Sequence, residues 1–259
     1  MAYVRTAFED NIGTITLDHF EKRNALSEPL VHEITDALDD FQRKRARVVV
    51  LRAMPGVKVW SAGHDVEELP EGRRDPLGWH DPLRHLIRSI ENCTAPVIAM
   101  IEGGVWGGAC ETVMACDIII AAPNATFAVT PAKLGVPYNV SGMLTFLNSA
   151  PLRIIKEMVF TAKPVSAERA MAMELINHLV PLEELEGFTY GMARDIAANA
   201  PLSISVMKEQ LRILAGAHMM SPQAFERVQG LRRIVYDSAD YAEGIRAFKE
   251  KRKPVYRGE

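Results

Sequence analysis

The chain predicts an α/β fold with a covered sheet, on three observations. Uninterrupted apolar runs of strand length recur at Val48–Leu51, Val97–Ile101 and Ile118–Ala122, as in strands buried on both faces. A helical segment precedes the first run and another separates the second from the third, so strand and helix alternate. Beyond about residue 150 the pattern turns mostly helical.

In chain order, Ile12–Leu17 alternates apolar and polar residues at period two and reads as a strand. Asn24-Ala25-Leu26-Ser27 leads into a helix with Ser27 as N-cap and Leu30, Val31, Ile34, Leu38 and Phe41 on one face. It ends in Arg43-Lys44-Arg45-Ala46-Arg47, a solvated end whose cations suit the C-terminal dipole. Val48–Leu51 and Pro96–Ile101 are strands, and a helix runs from near Ala109 to about Ala115. Ile118–Ala122 and the shorter Thr126–Val129 follow as strands. Next come helices over 153–162, 167–174 and 182–198, with a strand at Ile176–Val180, then helices over 201–215, 222–236 and 241–251. Asp240 with Glu243 gives the last one a capping-box-like start. No repeat or low-complexity segment interrupts the 259 residues.

Composition excludes several function classes. Lys plus Arg is 30 against 33 for Asp plus Glu, a net charge of -3, too balanced for a nucleic-acid binder built on one basic face. At 48% hydrophobic the chain is too apolar for disorder. No apolar run approaches the roughly 20 residues of a membrane helix. The start, Met1-Ala2-Tyr3-Val4-Arg5, lacks the apolar stretch of a signal peptide. Cys93, Cys110 and Cys116 form no C-x-x-C pair and read as reduced thiols of a cytoplasmic protein. The seven histidines show no ligand spacing, His80 and His85 being five apart, so no metal is expected. The G-x-G-x-x-G, P-loop, H-E-x-x-H and G-x-S-x-G patterns are all absent.

Two loop-to-helix junctions remain. In Trp60-Ser61-Ala62-Gly63-His64-Asp65, small residues let backbone approach a ligand and Asp65 caps a short helix. In Trp106-Gly107-Gly108-Ala109-Cys110-Glu111, glycines precede a helix and leave free amides at its positive end. Facing each other, the two would supply a pair of donors for an oxyanion.

These junctions, with Asn24-Ala25-Leu26, Pro96-Val97-Ile98-Ala99, Cys116-Asp117-Ile118 and the tail Arg246–Arg252, resemble the crotonase (enoyl-CoA hydratase/isomerase) superfamily over essentially the whole chain. The resemblance implies a spiral of ββα units over residues 1–195 that binds an acyl-CoA, and a helical trimerisation region over 196–259. It implies a thioester carbonyl held between the amides of His64 and Gly108, the substrate's own CoA as the only cofactor-like group, and a homotrimer or dimer of trimers. Neither biotin, metal, nucleic acid nor membrane is expected as a partner.

The family's hydratases use two glutamates. The first maps onto Glu111, but Pro131 stands in the second one's place, and a missing acid-base partner costs about 10²–10⁴-fold. The segments Asp81-Pro82-Leu83-Arg84 and Thr130–Asn139 resemble instead the family's decarboxylases, which implies conversion of methylmalonyl-CoA to propionyl-CoA and CO₂ through a thioester enolate. Hydratase, isomerase or thioester hydrolase chemistry on the same scaffold is the alternative, with a non-enzymatic acyl-CoA or RNA-binding scaffold further off. Tyr138 is the candidate donor to the substrate carboxylate. Thr130 either N-caps the segment after it or meets that carboxylate. Glu111 is expected to be turned away, held by hydrogen bonds, or to act late with a proton, and His64 to act through its amide. Lys22, Ala62, Gly63, Asp65, Val66 and Lys251 are the candidate CoA-binding residues, with Arg23 and Arg252 beside them.

Overall fold

The computed structural model describes residues 2–70, 74–217 and 221–258. It begins with an antiparallel pair, β1 (Val4–Glu9) and β2 (Ile12–Leu17), followed by α1 (Glu28–Arg43). Three turns of one motif follow: β3 (Val48–Ala53), β4 (Val59–Ser61) and α2 (Pro82–Asn92); β5 (Val97–Ile101), β6 (Gly104–Trp106) and α3 (Gly108–Met114); β7 (Ile118–Ala121), β8 (Thr126–Ala128) and α4 (Val140–Ser149). The chain continues through α5 (Leu152–Thr161), β9 (Val165–Ser166), α6 (Ala167–Ala172), β10 (His178–Leu179) and α7 (Leu185–Ala197). It closes with α8 (Pro201–Ala215), α9 (Pro222–Tyr236) and α10 (Ala239–Lys249).

Within each turn, the first strand joins one sheet and the second joins another. Among the described residues the larger sheet runs β1-β2-β3-β5-β7-β10 and the smaller β4-β6-β8-β9. From β2 onward the larger sheet is parallel. The result is a spiral of ββα units, in which each strand-to-helix junction falls at the same end of the smaller sheet.

The apolar runs are continuous because the larger sheet is covered on both faces. Val49, Leu51, Val97, Ala99 and Ile101 pack with α1 and α2. Val48, Val50, Ile98 and Met100 point the other way and meet Leu185, Ala193 and Ala197 of α7. Helix α7 therefore crosses the expected division at 195/196.

Three local expectations are corrected. Ser27 occupies the N-cap of α1 but makes no side-chain cap bond. Thr130 likewise stands at the N-cap of the 3₁₀ turn Pro131–Leu134 without a side-chain bond to it. Helix α10 starts at Ala239, capped by Ser238, whose Oγ accepts from the Tyr241 amide at 3.1 Å. The Asp240–Glu243 pair serves the C-terminal tail instead: Asp240 accepts from the amides of Arg257 and Gly258, and Glu243 is gripped by Arg252 and Arg246. Those arginines hold its carboxyl far below the usual range.

Helix α8 contains no buried residue and exposes Leu202, Leu211 and Leu214, and α9 exposes Leu231 and Ile234. No helix among the described residues is long and apolar enough to cross a membrane.

Candidate active site

The two glycine-containing junctions meet. Gly63 follows β4 with φ of +85°, a conformation that favours glycine. A side chain there would put its Cβ 2.6 Å from the Gly108 nitrogen. A Cβ on Gly108 would in turn lie 3.2 Å from the His64 nitrogen. The His64 and Gly108 amides are thus neighbours, and within the described residues neither donates to a protein acceptor. Gly108 is the first residue of α3, where amides lack intrahelical partners and the dipole is positive.

A frame of hydrogen bonds holds the first junction. The Asn24 side chain donates to the Trp60 carbonyl at 2.9 Å, and Ser61 Oγ donates to the Asn24 carbonyl at 2.7 Å while accepting from Gly63 N at 3.2 Å. The amides of Leu26 and Ala62 bind the carbonyls of Gly63 and Arg23. Asn24-Ala25-Leu26 is thus a brace for the loop that presents the His64 amide.

Both amides border a cavity of about 630 Å³. Its wall includes Ala62, His64, Asp65 and Val66, and also Thr130, Pro131 and Tyr138. Lys22 and Arg23 stand on it as well, and Lys133 and Phe248, which the sequence reading did not single out, complete it. Lys251 is exposed beyond α10 and is not part of this wall. Arg252 is committed to Glu243 and Glu250.

Lys22 Nζ donates to Glu67 Oε2 at 2.8 Å and to Asp65 Oδ2 at 3.3 Å. The Glu67 bond, then the Asp65 charge, raise its pKa. Asp65 Oδ1 accepts from the Glu67 amide at 3.0 Å and so caps the short turn Val66–Glu68, as expected. Among the described residues, both carboxylates on the wall, Asp65 and Glu67, are therefore paired with one lysine.

Tyr138 is buried, stacks edge-on against Phe146, and donates its hydroxyl to the Gly107 carbonyl at 3.3 Å. That bond is long and therefore readily exchanged. Burial, reinforced by the charge of Glu111, pushes the phenol well above its ordinary value, so Tyr138 stays a neutral donor.

Glu111 lies behind the wall. Its Oε1 accepts from Arg84 Nη1 at 2.6 Å, and its Oε2 is buried without a partner. Burial lifts its pKa from 4.5 to about 7, against the opposing charge and hydrogen bond of Arg84. The expectation that hydrogen bonds hold it is met by a residue whose role sequence reasoning missed. A signal existed: Asp81 and Pro82 make a cap and first turn, and Leu83, Leu86, Ile87 and Ile90 repeat at helical spacing. Helix α2, which carries Arg84, was legible there.

Cys110 Sγ donates to the Val105 carbonyl, and burial pushes its thiol up to about 12. It is an inert core group, and all three cysteines are free and buried. Among the described residues no group of three or more His, Cys, Asp or Glu is arranged to hold a metal. His218, counted among the histidines above, lies outside the described residues.

A ββα spiral that sets two free amides over an acyl-sized cavity defines a class, and residues 7–259 match the enoyl-CoA hydratase/isomerase family. The chain belongs to that family. Methylmalonyl-CoA decarboxylase of Escherichia coli (strain K12) is 49% identical over 256 residues, covering 99% of this chain and 98% of that protein. Carnitinyl-CoA dehydratase of the same strain is 32% identical over 250 residues, 96% of this chain and 95% of that one. The structure of methylmalonyl-CoA decarboxylase in complex with 2-nitronate-propionyl-CoA superposes with a TM-score of 0.97 over 99% of each chain, at 49% identity. That of the enzyme complexed with 2S-carboxypropyl CoA gives the same score over 100% of this chain and 99% of that one, also at 49% identity.

Proposed function

We propose that the protein decarboxylates methylmalonyl-CoA to propionyl-CoA and CO₂. The single observation that carries this reading is a cavity with two unspent amide donors whose only carboxylates among the described residues, Asp65 and Glu67, are tied to Lys22. Water addition needs a coordinated acid and base. Pro131 stands on the wall where the family's hydratases carry their second glutamate, and Glu111 is held away by Arg84.

Decarboxylation makes a different demand. As the bond to the carboxylate breaks, its electron pair enters the thioester carbonyl and forms an enolate, which takes a proton at C2 after CO₂ leaves. The His64 and Gly108 amides stabilise that oxygen, each such donor being worth ~2.7–4 kcal/mol. The thioester is itself the electron sink, so the step calls for no metal and no biotin. Tyr138 donates to the leaving carboxylate and holds it perpendicular to the thioester plane, where overlap favours cleavage. Thr130, whose hydroxyl has no capping duty, joins it there. Glu111 acts from behind Tyr138, where the paired Arg84 guanidinium offsets its repulsion toward the substrate carboxylate.

Ala62, Gly63, Asp65 and Val66 line the pantetheine and adenine path in this reading. Lys22 meets the CoA phosphates, and Lys251 contributes through the C-terminal tail. The exposed apolar faces of α8 and α9 join copies of the chain into a trimer or dimer of trimers, so the helical region from 196 onward serves assembly, while its Phe248 also closes the cavity of the spiral. Three free thiols suit a reducing cytoplasm.

The test is mass spectrometry of methylmalonyl-CoA and crotonyl-CoA, each incubated with the purified protein. Propionyl-CoA from the first with the second untouched is expected. Hydrated crotonyl-CoA with intact methylmalonyl-CoA would sink the reading. Tyr138→Phe is expected to lower kcat about 10–100-fold with KM nearly unchanged, because one orienting hydrogen bond acts mainly in the transition state. Full turnover in that variant would remove Tyr138 from the mechanism.

A further inference from the structure

The His64 ring has an acceptor at each nitrogen. Nε2 lies 2.8 Å from Asp81 Oδ2, and Nδ1 lies 3.0 Å from the Asp65 carbonyl oxygen. A carbonyl and an ionised carboxylate only accept, so the ring satisfies both when it carries both protons. The His64 and Asp81 side chains are each only 10% exposed, so solvent screens the pair weakly. Asp81 also works at its other oxygen: Oδ1 accepts from the Leu83 amide at 3.0 Å and caps α2. Leu83 stands on the cavity wall and packs close against Gly108, its Cδ2 lying 2.7 Å from where a Cβ on that glycine would be.

We propose that Asp81 is a positioning residue of the oxyanion site: it clamps His64 as a cation between its own carboxylate and the Asp65 carbonyl, and so fixes the His64 amide beside that of Gly108. The inference deepens the enolate reading above and rests on it. Two effects follow. The clamp ties the loop carrying one oxyanion donor to the start of α2, whose next residue packs against the other donor. It also holds a positive charge in the residue whose amide meets the developing negative oxygen, without reorganisation during the reaction.

The charged groups around the ring favour the cation. Asp81 faces it from α2, and Asp65 and Glu68 from the Val66–Glu68 turn. Lys22, which shares this wall with the cations Arg23 and Lys133, is bonded to Asp65 and Glu67. Burial works against the imidazolium, but the Asp81 bond and charge, the Asp65 carbonyl and Glu68 outweigh it, and the His64 pKa is raised.

Asp81→Asn separates charge from geometry. The asparagine oxygen keeps the α2 cap, its amide donates to Nε2 of a neutral ring, and Nδ1–H still meets Asp65. Two measurements decide. Histidine-selective ¹⁵N NMR of the unsubstituted protein is expected to show His64 doubly protonated at pH 7.5, whereas in Asp81→Asn burial is no longer offset by the Asp81 charge and the ring is neutral at that pH. Decarboxylation by the variant is expected to lose about 10–100-fold in kcat at pH 8, with KM within about threefold. The loss shrinks as pH falls and the ring regains its proton, a pH limb the parent lacks. A neutral His64 in the parent at pH 7.5 would overturn the proposal. So would an Asp81→Asn protein with parental kcat across this range. A parent that does not decarboxylate methylmalonyl-CoA refutes the enolate reading itself, and the NMR titration then judges the clamp alone.

Discussion

Gly63→Ala is expected to lower kcat for methylmalonyl-CoA by about 10²–10³-fold, the loss typical of one oxyanion donor. Two features of one position combine. Its φ of +85° disfavours a side chain, and the added Cβ would press on the Gly108 nitrogen at 2.6 Å. The obstacle is backbone, the Trp106 carbonyl as well as the Gly108 nitrogen, with no flexible side chain to swing aside, so relief requires the two junctions that carry the His64 and Gly108 amides to shift apart. Gly56→Ala is the matched control. Its φ of +80° imposes similar strain, yet nothing lies within 4 Å of its Cβ position. That variant should lose about 1–2 kcal/mol of stability and keep its kcat. Steady-state kinetics beside thermal unfolding separates strain from site damage. If Gly63→Ala keeps kcat within about fivefold, far less than a lost donor costs, the oxyanion forms elsewhere.

Arg84→Met should destabilise the protein by about 3–5 kcal/mol at pH 8, the usual cost of stranding one member of a buried ion pair. Arg84 and Glu111 are 8% and 1% exposed, so solvent does little to replace the lost partner. The sign of the pH dependence follows from Glu111. Burial sets its folded pKa at about 7, above the usual 4.5 and despite Arg84. Between those values the folded chain keeps a proton that the unfolded chain has released, so its contribution to stability falls as pH rises through this window. Removing the arginine charge raises the folded value further and extends the window upward. The deficit of Arg84→Met against the parent is therefore larger at pH 8 than at pH 5.5, where Glu111 is neutral in both. Denaturant unfolding at the two pH values measures it. An equal deficit at both would assign the loss to packing of the arginine stem, and Glu111 would not be the group that Arg84 restrains.

Much of the fold was legible because its signals are short-range. The runs Val48–Leu51 and Val97–Ile101 declare strands covered on both faces, and α8 and α9 begin at Pro201 and Pro222 as their first-turn prolines indicate. What escaped was brief or self-contradictory. Strands β4 and β6 have three residues each, too few to show an alternation. β1 is exposed along most of its length and carries little apolar pattern. At Asp240–Glu243 the motif of a cap was present, but Ser238 lies nearer the helix start and the two acids were free to anchor the tail.

The same division runs through the site. Gly63, Gly107 and Gly108 are readable because a backbone turned to positive φ or pressed against another backbone demands glycine whatever surrounds it. Pro131 is readable through the family resemblance, which marks its position for a carboxylate. Which groups meet is another matter. That His64 faces Asp81, that Arg84 disarms Glu111, and that Lys133 and Phe248 close the same cavity as Lys22 all depend on how successive turns of the spiral stack. Local propensity is written in neighbouring residues and survives without a partner. A buried ion pair or a cavity wall exists only once separate elements are packed at a common register, because desolvation and proximity, which set their energies, are properties of the packed molecule.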